Sequence, residues 1–274
     1  MLRLLSAGAV LAGALAMTVL PARGARADAL DDVISSGKLR CGAMLDFPPA
    51  GYRDQSNQPA GYDVEYCQDM AKALGVTPVI VETPSPQRLP ALVSGQVDIS
   101  IGSVTATTER AKTVAFTHPY LVYKLSVLVK QDSGIKKWED LKGKRVAIVR
   151  GTTPEIEYLR HCKTWAEGCT NDSYGSNGDQ LLAFRQGKAD AMIEASSFLG
   201  ALVNSDQGKG LTICCDVPGY TDWIAIAVPR GEQGLLNWIN LFIFHQVDTG
   251  RYAELYTKWF GGTPPSLKRD DVEF

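Results

Sequence analysis

Apolar runs and amphipathic stretches alternate along most of this chain, and the alternation constrains its fold more than any other feature. The pattern predicts a strand at 39–45, a helix at 64–74, a strand at 79–82, a helix at 86–94 and a strand at 97–101. Glycine ends both helices, as is common at helix C-caps. Strands that alternate with helices form βαβ units, so we expect an α/β fold with mainly parallel sheets.

The alternation resumes after a β-rich run in the middle of the chain. The later predicted elements are the β-rich run at 122–129, a strand at 145–149, helices at 154–160 and 180–186, a strand at 189–193, and helices at 234–247 and 252–260. Two series of this kind favour two lobes over one large domain.

Residues 89–101 line up with residues 181–193 without a gap. In both segments an apolar helix ends at glycine, Gly95 or Gly187, and a strand follows. We interpret this as one helix–turn–strand unit used once in each lobe, with chance similarity as the alternative because the shared pattern is short.

The residues that follow these two strands are candidates for a binding site. Ligands of parallel sheets bind at the carboxyl ends of the strands. We therefore expect Gly102 and Ser103 in one unit, and Glu194 and Ala195 in the other, to face a shared cleft.

The N-terminal segment has the layout of a secretory signal peptide. Arg3 precedes an uncharged run at 4–20, and the small-residue string Ala25-Arg-Ala27 follows. We predict a signal peptide at 1–27, cleaved after Ala27, with an uncleaved membrane anchor as the alternative. No second apolar run of spanning length follows, so the mature protein is expected to be soluble.

The charge balance leaves no signature of a polyanionic partner. The chain has 28 basic and 30 acidic residues and a formal net charge of −2. Removal of 1–27 takes away three arginines and no acidic residue, which lowers the net charge to −5. We expect no binding to nucleic acid or to an anionic membrane.

An exported chain reaches an oxidising compartment, where its six cysteines can pair. Cys162 and Cys169 enclose a short polar segment and are our preferred pair. Cys41 and Cys67 each lie in an apolar pattern. For these two residues the alternative to a disulfide is that both are buried thiols. The adjacent cysteines at 214–215 rarely bond each other, for geometric reasons.

Three further segments carry candidate ligand-binding groups. After the strand at 97–101, Thr107 is a candidate N-cap of a helix, and Arg110 could bind both oxygens of a carboxylate. Residues 149–155 show capping-box spacing and predict a helix N-terminus of the kind that binds anions. The two prolines after Phe47 present its ring beside the cleft. The alternatives are that Arg110 is a solvated helix residue, that 149–155 is an ordinary helix cap, and that Phe47 is a core residue.

Signals of catalysis are poor. The histidines His118, His161 and His245 are scattered, and the chain has neither a zinc-binding spacing nor a G-x-S-x-G motif. It also has no phosphate loop and no dinucleotide fingerprint. We therefore predict no catalytic residues, no metal and no cofactor, and expect a protein that is not an enzyme.

A series of motifs, in order, covers nearly the whole mature chain. They are Gly37-Lys-Leu-Arg, Phe47-Pro-Pro, Gly61-Tyr-Asp63-Val, Arg88-Leu-Pro-Ala-Leu-x-x-Gly95-x-Val-Asp98, Thr107-x-Glu-Arg110, Phe116-Thr-x-Pro119-Tyr120, Asp140-Leu-x-Gly143-Lys, Gly151-Thr-Thr, Gly187-Lys-Ala-Asp190-Ala and Lys258-Trp259-Phe260-Gly261. This series resembles family 3 of the periplasmic solute-binding proteins, which deliver polar amino acids to ABC transporters.

The resemblance implies a type II periplasmic binding protein fold. Its two lobes would each hold a mainly parallel sheet flanked by helices, and two hinge strands would join them. Lobe 1 would comprise 28–122 and 219–274, and lobe 2 would comprise 123–218, with hinges near 122–124 and 218–220. The implied protein is periplasmic and monomeric, and its partners are a small-molecule ligand and an inner-membrane ABC transporter permease.

The resemblance also assigns roles to residues. Arg110 would bind the α-carboxylate of an amino acid or related small carboxylate, and Phe47 would stack over it. Further contacts would come from Ser103 and Thr105 in lobe 1 and from Thr152 and Thr153 in lobe 2.

One position departs from the family pattern. Family members that bind amino acids hold the ligand ammonium with an aspartate where this chain has Ala195. A buried ammonium without a counter-charge is unfavourable by several kcal/mol. Either Glu194 turns into the cleft, or another acid such as Asp46 or Asp222 serves, or the ligand lacks the ammonium.

Two functions from different classes fit this resemblance. The first is the binding component of an ABC importer. The second is a periplasmic cyclohexadienyl dehydratase, an enzyme on the same fold in which a carboxylic acid of the cleft, here Glu194, assists loss of water and carbon dioxide.

Overall fold

The computed structural model describes residues 28–166 and 168–267, so the predicted signal peptide lies outside the described residues. The helices are α1 (Ala29–Ser36), α2 (Tyr62–Leu74), α3 (Arg88–Val93), α4 (Thr153–Cys162), α5 (Asn177–Arg185), α6 (Ser196–Val203), α7 (Gln233–Asp248) and α8 (Arg251–Phe260). The strands are β1 (Lys38–Ala43), β2 (Asp46–Phe47), β3 (Gly51–Arg53), β4 (Pro59–Ala60), β5 (Thr77–Glu82), β6 (Ile99–Thr105), β7 (Val114–Tyr123), β8 (Leu125–Lys130), β9 (Arg145–Val149), β10 (Thr170–Tyr174), β11 (Ala191–Ala195), β12 (Leu211–Asp216) and β13 (Asp222–Pro229).

Two five-stranded sheets with the same layout form the framework. The first has the order β5-β1-β6-β13-β7 and the second β10-β9-β11-β8-β12, while β2, β3 and β4 form a small separate sheet. In each large sheet four strands run in one direction, and a single strand, β13 or β8, runs against its two neighbours. The α/β fold with mainly parallel sheets is thereby confirmed.

The chain crosses between the two sheets twice. It passes from β7 to β8 through Lys124, and it returns from β12 to β13 through residues 217–221. The antiparallel strands β8 and β13 are the first strands after each crossing. The strands therefore divide between the sheets in the way the predicted lobes require, although the lobe boundaries themselves stay a prediction.

The repeated sequence unit has the same structure in both sheets. Helix α3 leads into β6 and helix α5 leads into β11. In the first sheet the backbone N–H of Arg40 donates to Asp98 (2.7 Å), and its guanidinium donates to the carbonyl of Gly95. The backbone N–H of Arg145 donates to Asp190 (2.9 Å) in the same way.

The guanidinium of Arg145 completes this correspondence, because it donates to the carbonyl of Gly187. Both glycines have a φ in the left-handed region, +71° and +73°, which glycine adopts without a steric cost. The glycine and aspartate of the repeated unit therefore hold helix, turn and strand together, which is a structural role.

Two disulfides tie elements of the structure. The predicted pair Cys162–Cys169 is present, with Cα atoms 5.6 Å apart. Cys41 of β1 is bonded to Cys67 of α2, so the interpretation of these two as buried thiols is wrong. The periodicity of α2 brings Cys67 onto the face that packs on β1, and both residues are fully buried.

Two local predictions about helix starts need correction. The segment after Thr107 forms only a short 3₁₀ turn at Arg110–Lys112, although the Thr107 hydroxyl does accept the N–H of Arg110. At α4 the Thr152 side chain does not cap the helix and instead donates to the carbonyl of Val149 (2.6 Å).

Candidate functional site

A cleft between the two large sheets collects most of the predicted binding residues. The volume in it that the centre of a water molecule can occupy is about 30 Å³. The carboxyl ends of β6 and β11 and the N-termini of α4 and α5 meet there. Of the predicted residues it is lined by Phe47, Ser103, Thr105, Thr152, Thr153 and Glu194. Their contact with a ligand stays a prediction.

The hydroxyl groups of the cleft come from both sides. Ser103 has a φ of +51°, which is uncommon for a residue with a side chain, and its hydroxyl donates to the Asp63 carboxylate (3.1 Å). The hydroxyls of Thr105 at the end of β6 and Thr153 at the start of α4 are 2.6 Å apart. This hydrogen bond links the two sides of the cleft directly.

Two arginines bring positive charge to the site, one inside the cleft and one at its edge. Arg110 does not line the cavity, because its guanidinium donates to the carbonyl of Thr105 (3.0 Å) and to that of Gly151 (2.9 Å) on the opposite side. Arg88 does line the cavity and is buried, and it donates to the carbonyls of Gly102 and Ser103.

Burial shifts the pKa of both arginines downward. It lowers the pKa of Arg88 to about 10, so this residue is still charged at neutral pH. Burial also lowers the pKa of Arg110, against an opposing effect of the Asp222 carboxylate.

Two acidic side chains line the same cavity. Glu194 turns into the cleft and is buried, and its carboxylate accepts from the Asn177 amide (2.9 Å). Desolvation raises the pKa of Glu194 to about 8 and that of Asp222 to about 6. A cation in the cleft would lower both pKa values and so favour the ionised form of each group.

Asp46 is the third acid that could replace the aspartate missing at Ala195, and it does not line the cavity. One of its carboxylate oxygens accepts the backbone N–H groups of Asn177 (2.9 Å) and Gly178 (3.4 Å) at the start of α5. The other oxygen is buried without a hydrogen-bond partner. Asp46 thus connects β2 to the helix on the opposite side of the cleft.

Aromatic rings make another contact across the cleft. Phe47 and Phe198 stack in parallel with ring centroids 4.8 Å apart. Phe47 therefore lies beside the cavity, as the sequence predicts, but Phe198 covers part of its ring. Contact between Phe47 and a ligand stays a prediction.

Several lining residues had no clear signal in the sequence. Arg88 belongs to a motif that the sequence shows, but its hydrophobic surroundings indicate a helix rather than a charge that faces a cavity. Asn177 and Tyr123 lie at element ends that periodicity does not resolve. Helix α5 packs on the sheet that contains β11 and so brings Asn177 to Glu194, and this contact depends on the tertiary fold.

Within residues 28–166 and 168–267, no set of three or more histidine, cysteine or acidic side chains is arranged to hold a metal ion. Over the same residues, no helix has both the length and the apolar character needed to span a bilayer.

Two sheet-based halves, joined by two crossings, enclose a cleft lined with hydroxyls and opposite charges, which is the kind of site that suits a small polar molecule. The chain belongs to the bacterial extracellular solute-binding proteins, family 3, whose model matches residues 39–262.

Named relatives and solved structures agree with this membership. The L-cystine-binding protein TcyJ of Escherichia coli is 30% identical over 237 residues, 85% of this chain and 86% of the relative. The cysteine-binding protein from Campylobacter jejuni is similar in structure, with a TM-score of 0.79 and 28% identity over 90% of this chain and 97% of that one. An ancestral amino acid-binding protein, AncCDT-1, described as a precursor of cyclohexadienyl dehydratase, has a TM-score of 0.75 and 31% identity, covering 85% of this chain and 100% of that one.

Proposed function

We propose that this chain is the periplasmic solute-binding component of an ABC importer and that it binds an amino acid or related small carboxylate in the cleft. One observation carries the proposal: the cleft brings the buried guanidinium of Arg88, with Arg110 at its edge, together with the carboxyl groups of Glu194 and Asp222. This combination is complementary to a zwitterion, which carries a carboxylate and an ammonium on one carbon.

Arg110 is the proposed partner of the ligand carboxylate. A guanidinium has five N–H donors, and two of its groups already bond carbonyls on both sides of the cleft. Glu194 and Asp222 are the proposed partners of the ammonium and thus take the place of the aspartate that Ala195 lacks. Phe47, Ser103, Thr105, Thr152 and Thr153 complete the proposed contacts.

The partner and location follow from the family. Members are extracellular solute-binding proteins, and the named relative binds L-cystine. The proposed export by a signal peptide cleaved after Ala27, the permease partner and the monomeric state rest on this membership and on the N-terminal sequence.

Titration calorimetry against a panel of amino acids, including cystine, cysteine, glutamine and arginine, tests the proposal. We expect at least one ligand to bind with micromolar or tighter affinity. Arg110→Ala should weaken this binding by at least about thirtyfold, since removal of one partner of a charge pair that the bound ligand shields from water is unfavourable by about 2 kcal/mol or more. Arg150→Ala is the matched control, because Arg150 directly follows β9, is exposed and does not line the cavity. Equal affinities for wild type and Arg110→Ala would contradict the assignment.

A second function, dehydration of prephenate or arogenate, is favoured by one observation. Desolvation raises the pKa of Glu194 to about 8, so a protonated carboxyl group is available in the cleft at neutral pH. Such an acid would protonate the leaving hydroxyl, and water and carbon dioxide would be lost. Absorbance of the aromatic product distinguishes the two functions: turnover that Glu194→Gln abolishes supports the enzyme, while ligand binding without turnover supports the transporter component.

A further inference from the structure

Cys214 and Cys215 are neighbours in β12, and their sulfur atoms are only 2.9 Å apart. Both are free and half-buried, whereas the other four cysteines form two disulfides. Neither sulfur belongs to the cleft. The pair is therefore a separate group of potential nucleophiles outside the proposed binding site.

A β-bulge explains the short distance between the two sulfurs. Successive side chains of a regular strand point to opposite faces of the sheet. Here Ile213 is paired with Leu128 and Cys215 with Val127, so Cys214 is an extra residue without a partner in the ladder. A bulge re-aims one side chain, and both cysteines consequently pack against the same apolar cluster of the second sheet.

Both cysteines are partly exposed at the edge of their sheet. Strand β12 is the outer strand of its sheet, with only β8 as a partner among the described strands. Residues 212–215 are neither fully buried nor fully exposed. The hydrogen bond from Cys215 lowers the pKa of the Cys214 thiol, and the same contact raises that of Cys215. Cys214 is therefore the first of the two to become a thiolate, which is the nucleophilic form.

We propose that Cys214 and Cys215 form a reactive dithiol, which low-molecular-weight disulfides oxidise reversibly to a vicinal disulfide. The Cys214 thiolate attacks one sulfur of the oxidant, whose S–S bond breaks and releases one thiolate. The Cys215 thiol then loses its proton and attacks the Cys214 sulfur, which releases the second half of the oxidant. Two protein thiols and one disulfide thus become one protein disulfide and two small thiols.

The vicinal disulfide between Cys214 and Cys215 should also be readily reduced. The Cα atoms across a trans peptide are about 3.8 Å apart, less than the about 4.4 Å at the lower end of the usual range for disulfides. Strained disulfides are easier to reduce than structural ones. The Cα separations of the other two pairs, 6.4 and 5.6 Å, lie inside the usual range. The vicinal bond should therefore open under conditions that leave those two closed.

Peptide mapping tests the proposal directly. Cleavage after Lys209 and Arg230 releases peptide 210–230, which contains Cys214 and Cys215 and no other cysteine. Folded protein is treated with 2-hydroxyethyl disulfide, a neutral oxidant, and then with an alkylating agent. We expect this peptide to lose both alkylation sites and two hydrogen masses, and to regain both sites after mild reduction, while the other two disulfides stay intact throughout.

Single variants separate ring formation from simple thiol reactivity. Cys214→Ser and Cys215→Ser cannot close the ring, so we expect the remaining thiol of at least Cys215→Ser to retain a mercaptoethanol adduct that the wild type does not accumulate. Phenylarsine oxide, which binds two thiols at once, should bind the reduced wild type and neither variant. Two fully alkylated thiols after oxidation, a lasting adduct on the wild type, or a bond from either residue to Cys162 or Cys169 would each overturn the proposal. None of these readouts depends on the ligand of the cleft.

Discussion

At the residue scale, one position changes the chemistry of the cleft. Ala195 stands where the family resemblance places an aspartate, and the neighbouring Glu194 lines the cavity instead. Strand β11 ends at Ala195 and α6 begins at the next residue, so both side chains reach the cleft at the point where the strand ends. The regular alternation of a strand does not predict this.

Glu194 should make the stability of the ligand-free protein depend on pH. Its pKa is raised from 4.5 in an ordinary environment to about 8 by burial, so the folded state holds a proton that the unfolded state releases. Its contribution is therefore unfavourable above pH 8 and absent below about pH 4.5, and it makes the free energy of unfolding fall as the pH rises between these values. Glu194→Gln keeps an acceptor for Asn177 and removes the charge.

We expect Glu194→Gln to be more stable than wild type at pH 9, by an amount on the order of 2 kcal/mol, and to differ little at pH 4.5. Urea unfolding at both pH values measures the difference. The exposed Glu109→Gln serves as the control and should show no difference at either pH. A variant that is less stable than wild type at pH 9 would show that Glu194 is stabilised as an anion.

At the element scale, helix α5 connects the two sides of the cleft through its first turn. The Ser176 side chain caps the N-terminus of the helix. Asp46, which lies on the opposite side of the cleft, accepts two further N–H groups of this first turn. A negative charge at a helix N-terminus is favourable because it satisfies free N–H groups and the helix dipole. This contact exists only when the two sides approach each other, so it stabilises the closed arrangement.

Asp46→Ala should weaken ligand binding about fivefold through a faster dissociation rate, since a loss of about 1 kcal/mol affects the closed form only. Stopped-flow or surface-based kinetics with a ligand from the panel measures this rate. Asp179→Ala is the matched control: Asp179 lies in the first turn of the same helix and accepts from Ser176, without crossing the cleft. If the control changes the dissociation rate as much as Asp46→Ala does, the contact across the cleft is not the cause.

At the scale of the whole molecule, the structure shows a closed cleft. Besides the contact of Asp46 with α5, three kinds of contact join its sides: the stacked rings of Phe47 and Phe198, the hydroxyl pair of Thr105 and Thr153, and the bond from Arg110 to Gly151. All three lie beside the cavity, while the chain crossings lie at 124 and 217–221. Closure around a bound ligand is the motion that this arrangement supports.

Phe198→Ala should shift the molecule toward an open form. The loss of the ring stack and its buried area is expected to weaken ligand binding about tenfold, a change of about 1.4 kcal/mol. Small-angle X-ray scattering should show a decrease in the radius of gyration when wild type binds ligand, and a smaller decrease in the variant at equal ligand concentration. Phe244→Ala, at an exposed ring on α7, should match wild type. An unchanged affinity in Phe198→Ala would exclude the stack as a closing contact.

The sequence by itself determined the order of helices and strands wherever the periodicity was long, as in α2, α7 and α8. It also determined the repeated helix–turn–strand unit and the local pair Cys162–Cys169, because these depend on residues close together in the chain. Short strands such as β2, β4 and β10 were not predicted, since a few residues carry too little periodicity to identify a strand.

Only the tertiary structure decided which charged groups share the cleft. Arg88, Glu194 and Asp222 are far apart in sequence, and sheet packing, rather than any local pattern, brings them to one cavity. It also paired Cys41 with Cys67 and, through a bulge, brought Cys214 to Cys215. Local propensity sets the elements, whereas long-range packing sets which side chains meet and therefore how their pKa values shift.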